Sequence, residues 1–284
     1  MSLFQLIILA IIQGLAELLP ISSSAHVVVA EKLMGLDPSS PQMTLLLVML
    51  HTGTMFAVIL YFWNQWRKAY FETAAAFKSF VWLLVVATAL TGIVGEGIVE
   101  VMKKTVFRNV PHVEVEDFFD HLELIAPALA AAGVLIIIAG LRRKREDRGD
   151  ITATKQISTG QATLIGIVQG FCLPFRGFSR SGATISTGLL AGVSKMRAEN
   201  FSFALAVVLT PIVVGREVLR LRHAEHGAMT GLGLSVVGAV FAFFAGLLAL
   251  RWLSRWLESG RWHFFGIYCL VAAVAVFALH QMGY

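Results

Sequence analysis

Two short polar stretches stand out because the chain around them is apolar. The first, QGLAELLPISSSAH over residues 13–26, holds Gln13, Glu17, Ser22, Ser23, Ser24 and His26. The second, RGFSRSGAT over 176–184, holds Arg176, Ser179, Arg180, Ser181 and Thr184. Glu17 follows Gln13 by four residues, so a helix would put both side chains on one face. An ionisable group inside an apolar block is costly and is ordinarily functional or paired. Gln13 cannot act as an acid or base, but its amide can orient water or phosphate oxygens. The three hydroxyls that follow Pro20 and Ile21 can cap a helix. His26, three residues beyond Ser23, makes them a candidate set of nucleophile and base as well. Arg180, between two serines, needs an anionic partner or water, and its planar fork suits phosphate oxygens. Thr184 can bond the same oxygens, and Arg176 adds a second positive charge. One arginine could simply pair with Glu17; two arginines and a hydroxyl cluster read as a polyphosphate pocket. Weaker candidates are His51, Thr52 and Thr54, which open a long apolar run. Glu96 and Glu100 read as interfacial, Glu199 and Asn200 as an ordinary helix start, and Arg216 with Glu217 as a rim ion pair.

These groups need elements that hold them at membrane depth. The 284 residues are 57% apolar and only 14% charged, whereas a soluble domain carries about 25% charged residues. Apolar blocks long enough to cross about 30 Å of hydrocarbon predict spans at 45–62, 80–98, 122–141, 201–216, 229–250 and 262–281. Two further blocks, 3–32 and 161–193, are interrupted by the polar stretches themselves. Non-helical backbone at that depth is tolerated only when buried in protein or lining a cavity. Both blocks therefore read as re-entrant pairs of half-helices. The expected fold is an all-α polytopic membrane protein of about six transmembrane helices plus two re-entrant helical hairpins. Arg67 and Lys68, the run Arg142, Arg143, Lys144, Arg145 and Arg148, then Lys195 and Arg197, and finally Arg251, Arg255 and Arg261 fall on one side. By the positive-inside rule that side is the cytoplasm. The opposite side receives Glu114, Glu116, Asp117 and Asp120, and also Arg216, Arg220 and Arg222, which break the rule.

IIQGLAELLPISSSAH (11–26) aligns with IVQGFCLPFRGFSRSG (167–182) at an offset of 156, with Gln13-Gly14 on Gln169-Gly170 and Ser23 on Ser179. Three spans separate the interrupted blocks, so the second would enter from the opposite face. This predicts an inverted-topology repeat within one membrane domain, 1–284. The first repeat is 1–141, a cytoplasmic basic linker is 142–160, and the second repeat is 161–284. Each broken helix would offer a half-helix end whose free N–H groups can hold an anion.

Other classes are poorly served. The formal charge of +5 sits at the ends of apolar blocks and does not suggest nucleic acid. Cys172 and Cys269 make no metal spacing and read as small buried residues. The first block lacks the basic start and cleavage site of a signal peptide. Metalloprotease, Walker, dinucleotide and zinc signatures are not evident. Trp63, Trp66, Trp252, Trp256 and Trp262 sit at span ends, as an aromatic belt would.

At these two motifs the chain resembles the undecaprenyl-diphosphate phosphatase family associated with bacitracin resistance. QGLAELLPISSSAH matches the family's (E/Q)xxxE segment with its Pro, Ser-rich and His elements, and RGFSRSGAT matches its PGxSRSxxT segment. The likeness extends over essentially the whole chain, through HTGTMFAVILYFW and AENFSFALA. It implies hydrolysis of undecaprenyl diphosphate, a C55 lipid, to undecaprenyl phosphate and inorganic phosphate. It also implies a multi-pass protein of the bacterial inner membrane, often a homodimer, with its site toward the periplasm. On the resemblance, Glu17, Ser23, His26 and Arg180 are catalytic, and Glu17 with Gln13 holds a divalent cation, Mg2+ or Ca2+. The diphosphate falls to Ser24, Arg176, Ser179, Arg180, Ser181 and Thr184. Either Ser23 attacks with His26 as base, or His26 attacks or activates water. Three positions depart from the family's pattern: Gln13 for the commoner Glu, Ala25 for Gly, and Arg176 for Pro. Broken helices in an inverted repeat describe secondary transporters as well, so a polyprenyl-phosphate transporter is the alternative.

Overall fold

The computed structural model describes residues 1–37, 40–105, 122–146, 156–223 and 232–282. The expected acidic stretch at 114–120, residues 147–155 of the expected linker and the side chains of Arg216, Glu217, Arg220 and Arg222 lie outside what it describes. The described chain is helical: α1 (Leu3–Leu18), α2 (Ser23–Leu33), α3 (Pro41–Tyr70), α4 (Ala74–Thr105), α5 (Leu122–Glu146), α6 (Thr159–Phe171), α7 (Arg180–Leu190), α8 (Lys195–His223), α9 (Leu232–Glu258) and α10 (His263–Gln281).

Among the described residues, five helices are long and apolar enough to cross a membrane: α3, α4, α5, α9 and α10. Their outward faces are apolar. Phe244, Leu248, Val271 and Val274 are each more than 60% exposed, a surface that only lipid or protein suits. The protein is a multi-pass membrane protein. The expected span 201–216 lies in α8, whose first turns bury Glu199, Asn200 and Ser202. Most helices also outrun the apolar blocks that mark them. In α3, for example, a Ser40 cap and Pro41 start the helix ahead of the first long apolar run, and it continues through Arg67 and Lys68.

The two interrupted blocks are helix–break–helix pairs. α1 and α6 open with the same device 156 residues apart. The Ser2 hydroxyl accepts from Gln5 N–H while the Gln5 side chain accepts from Ser2 N–H, and Ser158 and Gln161 do likewise. Both glutamine amides also donate onward, Gln5 to the Met34 carbonyl and Gln161 to that of Ala191. This ties the start of each first half-helix to the end of its second. α1 packs on α9, and α6 packs on α4. Gly14 permits the first contact, because a Cβ there would lie 2.7 Å from the Ala242 carbonyl oxygen. α5 pairs with α10 and α3 with α8. The interior is aromatic and tightly closed: Phe62, Phe201, Phe203 and Trp262 are all buried. Trp262 Nε1–H donates to Ser186 and Trp66 Nε1–H to the Asn200 carbonyl, so the indoles satisfy their polar ends inside the bundle.

Candidate active site

The breaks meet at Glu17. Its carboxylate stands in the last turn of α1 and takes partners from α1, α2, α3 and α7. Ser23 Oγ donates to Oε2 at 2.5 Å, Gln13 Nε2 donates to the same oxygen at 3.2 Å, and Arg180 Nη2 reaches Oε1 at 2.5 Å. His51 Nε2 lies 3.5 Å from Oε2. The Ser181 hydroxyl donates to the Leu19 carbonyl at 3.3 Å, fastening the start of α7 to the end of α1. The first residues of α2 and α7, Ser23 and Arg180, therefore converge on one carboxylate. Two helix N-termini and a guanidinium bias that point toward anions.

Local sequence explains how each group is aimed. Ser22 enters α2 with φ 68° and ψ 95°, a conformation that residues other than glycine rarely adopt. Its side chain does not cap the helix. This turn places Ser23, the first helical residue, over Glu17. On the other side Ser179 caps α7, accepting from Gly182 N–H at 3.2 Å. Gly177 makes the preceding turn at φ 101°, and a Cβ there would fall 2.5 Å from the Ile125 carbonyl oxygen.

The structure brings Gln13, Glu17, Ser23 and Arg180 together, and it adds His51, which the sequence ranks low. His51 Nδ1–H donates to the Leu47 carbonyl at 2.8 Å, which leaves Nε2 facing Glu17. His26 is not brought to the cluster. Its ring nitrogens go to the Ser22 carbonyl and the Tyr268 hydroxyl, each at 2.7 Å. Thr184 also turns away: it is fully buried, donates to the Arg180 carbonyl at 2.8 Å and meets Ser202 Oγ at 2.5 Å. Ser24 lies beside Ser22, with hydroxyls 3.2 Å apart, and Arg176 is half-buried in the turn between α6 and α7. Thr52 and Thr54 donate back to carbonyls of their own helix, Val48 and His51. Glu199 is no ordinary helix start: it is 5% exposed and accepts from Ser254, which in turn accepts from Tyr61. Nothing in its local sequence announces a partner 55 residues away.

A cation site can be tested against the donors present. Gln13 Oε1 is fully buried and has no hydrogen-bond partner among the described residues. The same side chain meets Glu17 through its amide nitrogen, and its oxygen and the Glu17 carboxylate are both hard oxygen donors of the kind Mg2+ and Ca2+ take. Among the described residues, no three His, Cys, Asp or Glu side chains gather as a cage. The residues thus fit a cation shared with phosphate oxygens and water rather than one enclosed by protein.

A carboxylate, a serine hydroxyl, an imidazole and a guanidinium are gathered beside two helix N-termini in a multi-pass helical protein, an arrangement whose electrostatics suit an anion. The chain belongs to the bacitracin resistance protein BacA family, whose model matches residues 6–275. It is 55% identical to "Undecaprenyl-diphosphatase 2" of Acinetobacter baylyi, over 98% of each chain. It is 34% identical to "Undecaprenyl-diphosphatase 2" of Burkholderia orbicola, over 96% of this chain and 95% of the relative. To "Undecaprenyl-diphosphatase" of Rhodopirellula baltica it is 32% identical, over 98% of each.

Proposed function

We propose that this protein hydrolyses undecaprenyl diphosphate to undecaprenyl phosphate and inorganic phosphate, returning the lipid carrier to cell-wall synthesis and conferring bacitracin resistance. The observation that carries the reading is the convergence of Ser23, Arg180 and His51 on Glu17. The names of the full-length relatives point to the same substrate.

Without substrate, Glu17 and Arg180 neutralise each other. A diphosphate offers Arg180 a denser negative charge and planar bidentate partners. The guanidinium then moves to the terminal phosphate and stabilises its oxygens as charge redistributes in the transition state. Glu17, relieved of Arg180, accepts the Ser23 proton along the existing hydrogen bond. Ser23 Oγ attacks the terminal phosphorus, the bond to the bridging oxygen breaks, and undecaprenyl phosphate leaves. Water, deprotonated by His51, then attacks the phosphorus, and Glu17 returns its proton to Ser23 Oγ as inorganic phosphate leaves. Of the two routes open from sequence, the geometry favours serine attack, with Glu17 rather than His26 as the base. Gln13 and Glu17 would hold a divalent cation, which supplies further charge neutralisation when bound.

The membrane arrangement we infer is six spans, with α8 as the sixth, plus two re-entrant pairs, α1–α2 and α6–α7, as an inverted repeat. The repeated Ser–Gln caps and the matched packing of α1 on α9 and α6 on α4 support it. The repeat is chemically uneven: the offset of 156 sets Leu173 opposite Glu17 and Val207 opposite His51, which leaves one reactive centre. Basic residues near the C-terminal ends of α3, α5 and α9 support a cytoplasmic location for those ends. We further propose, from the family resemblance, an inner-membrane protein whose site opens to the periplasm and which acts as a homodimer. The test is phosphate release from undecaprenyl diphosphate by purified protein in detergent, with Mg2+ or Ca2+. Release that Arg180→Ala abolishes supports the reading; no release with either metal overturns it.

A further inference from the structure

His26 and Tyr268 form a contact that the reaction does not require. The two residues are 242 positions apart, yet the Tyr268 hydroxyl lies 2.7 Å from His26 Nε2 and the rings stack with centroids 5.6 Å apart. The other ring nitrogen, Nδ1, lies 2.7 Å from the Ser22 carbonyl. A carbonyl only accepts, so Nδ1 carries the proton. In the neutral ring Nε2 is then the acceptor and Tyr268 the donor. The chain of bonds runs from α10, through α2, to the carbonyl of the one described residue other than glycine with positive φ. The next residue, Ser23, is the one whose hydroxyl sits on Glu17.

We propose that Tyr268 is a positioning residue for the reaction: through His26 it holds the Ser22 carbonyl, and so the unfavourable turn that aims the Ser23 hydroxyl. This rests on the function proposed above and goes beyond it, because it gives His26 the task of holding backbone. A neutral imidazole with both nitrogens bonded has no lone pair left for a proton. Isolated, the Ser22 turn would relax toward common backbone angles; the His26 bond and its Tyr268 anchor oppose that. The Cys269 thiol, next to Tyr268, also points at the break, 3.3 Å from the Pro20 carbonyl. α10 thus braces the turn at two successive residues.

Tyr268 has a second face, which sharpens the test. It is 45% exposed and forms part of a largely apolar groove of about 640 Å³ with Leu19, Ile21 and Phe264. A residue that only touched lipid through that groove would act through its ring and alter KM. A residue acting through His26 acts through its hydroxyl and alters kcat.

The experiment compares full-length parent, Tyr268→Phe, His26→Ala and the double variant in detergent, measuring phosphate release from undecaprenyl diphosphate. Tyr268→Phe keeps the ring and loses only the donor. It is expected to lower kcat about fivefold, on the scale of one hydrogen bond, with KM nearly unchanged. The double variant is expected to be no slower than His26→Ala, since both losses break one chain. Unchanged kcat in Tyr268→Phe, a rise in KM alone, or losses that multiply in the double variant would overturn the proposal. The nitrogen-15 resonance of His26 Nε2 gives a reading without turnover: it should shift in Tyr268→Phe, and an unshifted resonance overturns the relay. A parent that releases no phosphate while that resonance does shift would sink the proposed function and leave the hydrogen bond itself established.

Discussion

Replacing Glu17 with glutamine removes one charge and almost no volume. The carboxylate now accepts from Ser23 and Gln13 at one oxygen and from Arg180 at the other. An amide can accept at only one end. If its oxygen stays with Arg180, its NH2 group faces Ser23, and the serine proton has no base. Loss of a general base costs about 10²–10⁴ in rate, which is about 3–5 kcal/mol of barrier at 1.36 kcal/mol per tenfold. The same change releases Arg180 from its ion pair, so the diphosphate meets a less occupied guanidinium. We therefore predict that Glu17→Gln lowers kcat by about two to four orders of magnitude while KM stays level or falls. Initial rates of phosphate release across a range of undecaprenyl diphosphate concentrations in detergent would measure both. A kcat near the parent's, or a loss confined to KM, would refute the assignment of Glu17 as base. The fold should survive: the side chains of Glu17 and Arg180 are 12% and 23% exposed, so water limits the penalty of leaving the arginine unpaired.

Further outcomes follow from the same geometry. Arg180→Lys should recover only part of what Arg180→Ala loses, because an ammonium cannot make the planar double contact; full recovery in a phosphate-release assay would remove the bidentate argument. His51→Ala should slow turnover by about tenfold or more, as removal of a proton-transfer group would, and an effect below twofold would return His51 to a packing role. Gly177→Ala should lower thermal stability in detergent by about 1–3 kcal/mol, since the new Cβ meets the Ile125 carbonyl oxygen and φ is positive. An unchanged unfolding temperature would contradict the turn geometry. Chelation by EDTA should suppress turnover and Mg2+ or Ca2+ restore it, whereas full activity in EDTA would leave Gln13 and Glu17 without a cation.

The sequence discloses the site where chemistry is concentrated and local. Glu17, Ser23 and Arg180 are legible because charge and hydroxyls interrupt apolar blocks, and membrane burial makes such interruptions costly without function. The breaks between α1 and α2 and between α6 and α7 follow from the same signal. What depends on distant packing is not legible. His51 is a single histidine 34 residues after Glu17, and only the placement of α3 against α1 brings it within 3.5 Å of the carboxylate. His26 reads from its spacing as a partner of Ser23, but its Nδ1 bonds the Ser22 carbonyl locally and its Nε2 finds Tyr268 on α10. Thr184 belongs to a recognisable motif, yet helical geometry returns its hydroxyl to the Arg180 carbonyl and α8 supplies Ser202. Glu199 pairs with Ser254 across two helices, a contact no local pattern encodes.

In the proposed reaction one diphosphate occupies the space where α1, α2 and α7 converge. A structure of the protein with a non-hydrolysable methylene-diphosphonate analogue of the lipid tests it most directly. The terminal phosphorus is expected within reach of both the Arg180 guanidinium and the Ser23 hydroxyl, with the Glu17–Arg180 pair opened. A headgroup bound elsewhere, with that ion pair intact, would contradict it.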